Sequence, residues 1–259
     1  MANELNLSGK VALVTGGNGG IGLGMAEGMA AAGADLVIWG SNPEKNAAAQ
    51  AKLKAHGQRV LAQRCDVADE GQVESCFAEA LAKMGRIDAC FANAGVSQAR
   101  ASFHELETRE WRRVLAVNLD GAFFTLRAAA RHMVARATSG DKGGRLIGMA
   151  STAAIHGAAR AQAYAATKGA MVAMIRALAV EMARYGVTAN SILPGWIETE
   201  MTSGAVADEK FAGAVLPRIP VRRWGGRQDF AGIAVYLASE ASSYHTGDSF
   251  VIDGAYTIF

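Results

Sequence analysis

The sequence predicts a doubly wound α/β domain, built on one mostly parallel seven-stranded sheet with helices on both faces. Three observations carry this. A short apolar run, Lys10 to Val14, leads into a glycine-rich stretch, TGGNGGIG (Thr15 to Gly22), and then into a helix-forming run, LGMAEGMAAAG. Apolar strand-like runs alternate with helical runs along nearly the whole chain. No repeat, low-complexity tract or composition break sets off a second unit, so residues 1–259 read as a single domain. Strands alternating with helices across short loops imply parallel pairing and right-handed crossovers.

Composition bounds the class. Of the 259 residues, 51% are apolar and 19% charged, which suits a folded core. The net charge of +2 gives no reason to expect nucleic acid or an anionic membrane as partner. Cys65, Cys76 and Cys90 form no CxxC pair and read as buried, reduced thiols of a cytosolic protein. The start, MANELNLSGK, carries no apolar signal core, and no apolar run reaches about 18 residues without a polar break. Neither a signal peptide nor a membrane span is expected, and the expected location is cytoplasmic.

The elements follow in order. Lys10 to Val14 is a buried strand ending at Thr15-Gly16. The glycines after it allow tight turning, and the helix that follows offers free N–H groups to a pyrophosphate. Ala34 to Trp39 is the second strand. Asn42 and Pro43 then open a helix as N-cap and first helical residue, and it runs to about Gly57. Arg59 to Arg64 is the third strand, and a helix covers about Glu70 to Met84. Ile87 to Ala92 is the fourth strand, closed by Asn93-Ala94-Gly95. A long helix is expected from about Glu110 to Arg136, with Asn118 and Gly121 as poor interior residues. Asn118 is either solvated there or marks a local distortion. Arg145 to Ala150 is the fifth strand, ending at Ser151. A helix from Ala161 to about Arg184 and a sixth strand, Val187 to Leu193, precede Pro194-Gly195. Glu198 to Val221 is rich in small residues, and its 198–217 portion reads as a mobile substrate lid. A helix, Gln228 to Leu237, and a strand, Ser249 to Ile252, close the chain.

One stretch, Ser151 to Lys168, carries the candidate chemistry. Tyr164 and Lys168 stand four residues apart, on one face of a helix and one turn apart. A cation beside a phenol lowers its pKa from about 10 toward the range of a general acid or base. Ser151 can hold a carbonyl oxygen beside that phenol. Taken alone, the spacing also fits a core Tyr and a snorkelling Lys.

Several motifs together resemble the short-chain dehydrogenase/reductase family over nearly the whole chain. Gly16, Gly20, Ile21 and Gly22 fall in its cofactor loop, which also holds Asn18. Asn93, Ala94 and Gly95 match its NAG segment, and Asn118, Ser151, Tyr164 and Lys168 match its catalytic tetrad. Pro194, Gly195, Ile197 and Thr199 match the stretch that contacts the nicotinamide end. The resemblance implies a Rossmann-type fold and hydride transfer between a nicotinamide and a ketone or secondary alcohol. In this reading Tyr164 moves the proton. Lys168 lowers the Tyr164 pKa and holds the nicotinamide ribose, Ser151 positions the substrate oxygen, and Asn118 steadies Lys168 through a water. Asp66 bonds the adenine amine, with Val67 against the ring. The ends of the strands, where these residues fall, are where doubly wound sheets bind ligands.

Other residues stay open. His156 faces the substrate or is a satisfied loop histidine, the second being favoured. Trp196 covers the nicotinamide or caps the core. Arg222, Arg223 and Arg227 read as a solvated or interface cluster. No His or Cys spacing suits a metal, so no catalytic metal is expected. Gly40 occupies the strand-end position where an acid selects NAD, and Ser41 the position often held by an arginine that selects NADP. Ser41 and Asn42 can donate to a 2′-phosphate, with Arg64 and Lys45 in reach. Either NADP or NAD is expected to bind, NADP being modestly preferred. The helix bearing Tyr164 has almost no charged face, which predicts a homo-oligomer, and the resemblance suggests a homotetramer. The segment RIPVRRWG (Arg218 to Gly225) resembles one shared by sugar-acid dehydrogenases and 3-oxoacyl-carrier-protein reductases. The substrate is therefore a sugar or polyol derivative, a simple or cyclic ketone, or a β-ketoacyl thioester. A non-catalytic cofactor-binding protein is the reading of another class.

Overall fold

The computed structural model describes residues 4–99 and 101–259. Seven parallel strands form one sheet in the order β3-β2-β1-β4-β5-β6-β7. They are β1 Val11–Thr15, β2 Asp35–Gly40, β3 Val60–Arg64, β4 Ala89–Ala92, β5 Gly144–Met149, β6 Val187–Pro194 and β7 Ser249–Ile252. The order reverses between β1 and β4, which opens a crevice beyond their C-terminal ends. Every residue of β1, β4, β5 and β6 is buried, as strands covered on both faces must be.

The helices divide into two layers. On one face α1 (Gly20–Ala31), α2 (Pro43–Lys54) and the C-terminal helix Ala231–Ala238 pack Leu23, Met25, Leu53, Ala234 and Leu237 against the sheet. On the other, α3 (Glu70–Met84) and the later helices pack Phe77, Leu126, Met133, Met171 and Ile175 against it. Local chemistry sets the starts. Asn42 accepts the Lys45 N–H with Pro43 in the first turn of α2, and Asp69 accepts the Gln72 N–H to open α3.

Four expectations change in detail. The first helix starts at Gly20 rather than Leu23, so the glycine loop itself supplies its first turn. The long helix of 110–136 is a composite of α4 (Thr108–Leu115), a π turn (Ala116–Asp120) and α5 (Gly121–Thr138). Asn118 is buried in that π turn, so it marks a distortion and is not solvated. A short helix α6 (Ala153–His156) fills the stretch after Ser151, and α8 (Ser203–Val206) and α9 (Glu209–Val215) structure the segment read as a lid. Cys65 and Cys90 are buried as free thiols, but Cys76 is only half-buried. Helix α7 (Gln162–Met182) lies along β5 and β6, and the C-terminal helix is then α10. By length and composition alone, 162–185 is apolar enough to cross a membrane.

Candidate active site

The glycine loop and the end of β4 are locked together. Asn93 Nδ2 donates to Thr15 O at 2.8 Å, and the N–H groups of Asn93 and Ala94 donate to Thr15 Oγ1 at 3.0 and 2.9 Å. A Cβ on Gly22 would lie 2.3 Å from Gly16 O and 2.5 Å from Asn93 Nδ2, so only glycine permits this approach. Gly19 precedes α1 and brings no side-chain cap. The first-turn N–H groups of this 12-residue helix are left for an anion.

Helix α7 presents Tyr164 and Lys168 toward the same crevice. Lys168 Nζ donates to Met149 O at 2.7 Å and lies 5.4 Å from the centre of the Tyr164 ring. Its remaining N–H groups are available to a ligand. Burial pushes the Lys168 ammonium down to about 8. Burial also raises the Tyr164 phenol above its ordinary value, and a hydrogen bond with Ser151 opposes this. The lowering of Tyr164 by Lys168 expected from the sequence is not seen, because desolvation dominates at this phenol. Ser151 Oγ also accepts the Ala153 N–H at 3.1 Å, which α6 supplies.

The crevice is a cleft of about 560 Å³. It brings together Gly16, Asn18, Gly20 and Ile21 from the loop, Asn93, Ala94 and Gly95 from the segment after β4, and Ser151, Tyr164 and Lys168. Pro194, Gly195, Ile197 and Thr199 close it after β6. These are sequence-predicted residues, and 183 positions separate the first from the last. Among the described residues no group of three or more His, Cys, Asp or Glu side chains is placed to hold a metal.

Residues 16–257 match the family described as enoyl-(acyl carrier protein) reductase. Gluconate 5-dehydrogenase of Gluconobacter oxydans (strain 621H) is 36% identical over 253 residues, 98% of this chain and 96% of that protein. The 3-oxoacyl-[acyl-carrier-protein] reductase of Chlamydia pneumoniae is also 36% identical, over 98% of this chain and 99% of its own. A crystal structure of a gluconate 5-dehydrogenase from Burkholderia cenocepacia J2315, in complex with NADP and tartrate, superposes with a TM-score of 0.93. It shares 36% identity and covers 99% of this chain and 98% of that one. The chain belongs to the short-chain dehydrogenase/reductase family.

As a short-chain dehydrogenase/reductase it is an oxidoreductase, and the fold is the one the sequence predicted. Six named residues stand outside the lining of the cleft: Gly22, Ser41, Asn42, Asp66, Val67 and Asn118. Gly22 lies under the loop. The side chain of Asn42 is used as a helix cap, and Ser41 is exposed. Asp66 is exposed and accepts the Ala68 N–H at 3.0 Å. Val67 is buried and packs against Gly121. Asn118 sits behind the cleft and grips the loop after Gly95.

Gly40 explains itself only in the structure. A Cβ there would fall 2.1 Å from Asn18 Nδ2 and 2.5 Å from Asn46 Oδ1. Those two side chains are bonded at 2.7 Å, and Asn46 Nδ2 donates to Gly40 O and Gln63 O. In this short-chain dehydrogenase/reductase an acid at position 40 would have to displace that bonded pair. Other cleft residues were not singled out as site residues: Lys45, Arg113, Glu200, Met201 and Thr202. Lys45 was named from the sequence only as a cation in reach of a 2′-phosphate. Glu200 was not, because its place depends on how the segment after Thr199 folds back. Trp196 packs edge-on against Phe211, ring centres 4.9 Å apart, beside Trp224, so it caps a small core instead of covering the cleft. His156 is exposed, contacts Gly157 O and stands edge-on to Tyr256. Arg223 pairs with Asp229 and Arg227 with Glu27.

Proposed function

We propose that this enzyme interconverts a keto-sugar acid and its secondary alcohol with NADP(H), accepting NAD(H) less well. The observation that carries the reading is that Ser151, Tyr164 and Lys168 line the same cleft as an uncapped α1 N-terminus behind a glycine loop. The relatives named for gluconate and the neighbour holding NADP and tartrate support this substrate class and cofactor.

The residues present fit a dinucleotide. Gly16, Asn18, Gly20, Ile21 and Gly22 with the first turn of α1 would hold the pyrophosphate. Ser41, Asn42, Asp66 and Val67 would flank the adenosine end. Asn93, Ala94, Gly95, Pro194, Gly195, Ile197 and Thr199 would surround the nicotinamide end, with Lys168 on its ribose. When bound, the nicotinamide supplies or accepts the hydride at the carbinol carbon. Tyr164 donates its phenolic proton to the carbonyl oxygen in reduction and takes it back in oxidation. A phenol raised by burial is protonated at neutral pH, which suits the donating role. Ser151 Oγ–H holds the substrate oxygen within reach of that phenol. Asn118, whose side-chain amide is engaged by Val96, steadies Lys168 through a water.

The remaining parts of the reading concern the whole molecule. Residues 1–259 act as one domain, and roughly 198–217 closes over the substrate as a lid, with Phe211 as its anchor on Trp196 and Trp224. The enzyme works in the cytoplasm as a homotetramer. A groove between α5 and α7, lined by Phe123, Leu126, Met174 and Leu178, supports packing against another copy.

The second reading, a 3-oxoacyl-carrier-protein reductase, is favoured by the equally similar Chlamydia relative. A non-catalytic cofactor-binding role leaves Ser151 and Tyr164 without purpose. Oxidation of NADPH, followed by absorbance, decides among the three with keto-sugar acids, a β-ketoacyl thioester and a cyclic ketone as substrates. The expected result is a kcat/KM at least tenfold higher for a keto-sugar acid. A thioester preferred by the same margin overturns the substrate class, and no turnover of any carbonyl overturns the enzymatic reading.

A further inference from the structure

Lys45 lines the cleft close after the end of β2, three residues after the Asn42 cap and within the first turn of α2. Its ammonium is paired with Glu200, which arrives from the segment after Thr199 on the opposite wall. Both side chains are exposed, at 48% and 83%, so the pair is screened by water and holds weakly. The two positions from which relatives of this fold usually meet a 2′-phosphate offer no cation, since Ser41 follows β2 and Gly19 precedes Gly20. Arg64, the register partner of Gly40 at the end of β3, is exposed but does not line the cleft.

We propose that Lys45 is the residue that reads the 2′-phosphate of NADP(H), and that Glu200 competes with the phosphate for it. The proposal rests on the reading of this cleft as a dinucleotide site. A phosphate near neutral pH carries more charge than a carboxylate and three strong acceptor oxygens, so it displaces Glu200 from a solvent-screened pair. NAD(H) offers only a hydroxyl, which leaves Lys45 with Glu200. Specificity thus comes from an exchange of partners across the cleft, since position 40 is a glycine and carries no acid.

The test is calorimetric titration of the intact protein with NADP+ and with NAD+, which needs no substrate. Lys45→Met is expected to weaken NADP+ at least tenfold and NAD+ less than twofold. Glu200→Gln is expected to tighten NADP+ severalfold in the wild-type background and to have no effect alongside Lys45→Met. Arg64→Met should leave the ratio of the two affinities unchanged. Equal weakening of both cofactors in Lys45→Met overturns the proposal while leaving the cofactor site intact. So does a loss of discrimination in Arg64→Met with none in Lys45→Met. Wild-type protein that binds neither cofactor overturns the proposal together with the reading of the cleft.

Discussion

Asn118 holds Val96 at two points: Asn118 Oδ1 accepts the Val96 N–H at 2.7 Å, and Asn118 Nδ2 donates to Val96 O at 3.0 Å. The contact joins the π turn of the long helix to the loop that follows β4. Asn118 is 1% exposed, so no water replaces its amide when it is removed. Asn118→Leu leaves both polar groups of Val96 unsatisfied, at about 1–3 kcal/mol each. We expect a loss of about 2–4 kcal/mol in unfolding free energy by urea titration, with turnover falling too. A change below about 0.5 kcal/mol, the scale of an ordinary surface substitution, would show that the clamp is incidental.

Tyr164→Phe removes one oxygen and keeps the ring. The prediction is cofactor affinity within about twofold of wild type and turnover lower by roughly 10²–10⁴. In the wild type, alcohol oxidation should accelerate with pH to beyond 10, because the phenol is raised from its ordinary 10.0 and must lose its proton to act as base. Carbonyl reduction should be flat through neutrality. An oxidation rate that levels off near pH 7 contradicts this assignment of the base.

Lys168 has the opposite stability sign from most paired cations. Its pKa is about 8 in the fold against an ordinary 10.5, so between those values the unfolded chain binds more protons and stability rises with pH. Below about 8 the buried charge costs its full amount. In the cofactor-free protein, Lys168→Met should therefore raise the melting temperature at pH 7, with the gain shrinking toward pH 10.5. It should abolish turnover as well. A variant less stable than wild type at both pH values would mean that the bond to Met149 O outweighs desolvation.

Gly40→Asp is a direct check on the ribose end. The aspartate would have to displace the bonded pair Asn18–Asn46. It is expected to lower stability by more than about 2 kcal/mol, as overpacked sites do, and to weaken both cofactors. A clean switch to NADH with unchanged stability would require that the loop has another arrangement.

Phe123 is 43% exposed on the groove between α5 and α7. Phe123→Glu should convert a tetramer to smaller species in light scattering, because it would desolvate a charge at an apolar contact. Wild-type protein that is monomeric at micromolar concentration removes the assembly from the reading.

The order of strands, the glycine loop and the Ser151, Tyr164 and Lys168 set were legible in the sequence because each depends on local pattern. Apolar runs long enough only for buried strands, a cap at Asn42 and a one-turn spacing need no distant partner to be recognised. Boundaries were less legible where glycine or asparagine sits inside a helix. Gly20 begins α1, and Asn118 is accommodated by a π turn that no periodicity announces. What only the tertiary structure decided depends on desolvation and on approach between separate elements. The Tyr164 phenol is raised rather than lowered because burial removes more solvation than the hydrogen bond with Ser151 returns. Gly40 is glycine because Asn18 and Asn46, from two different elements, meet above it. Glu200 reaches Lys45, 155 positions away, only because the chain folds back after β6. Such contacts follow from packing in three dimensions, and the linear order of residues carries no local signature of them.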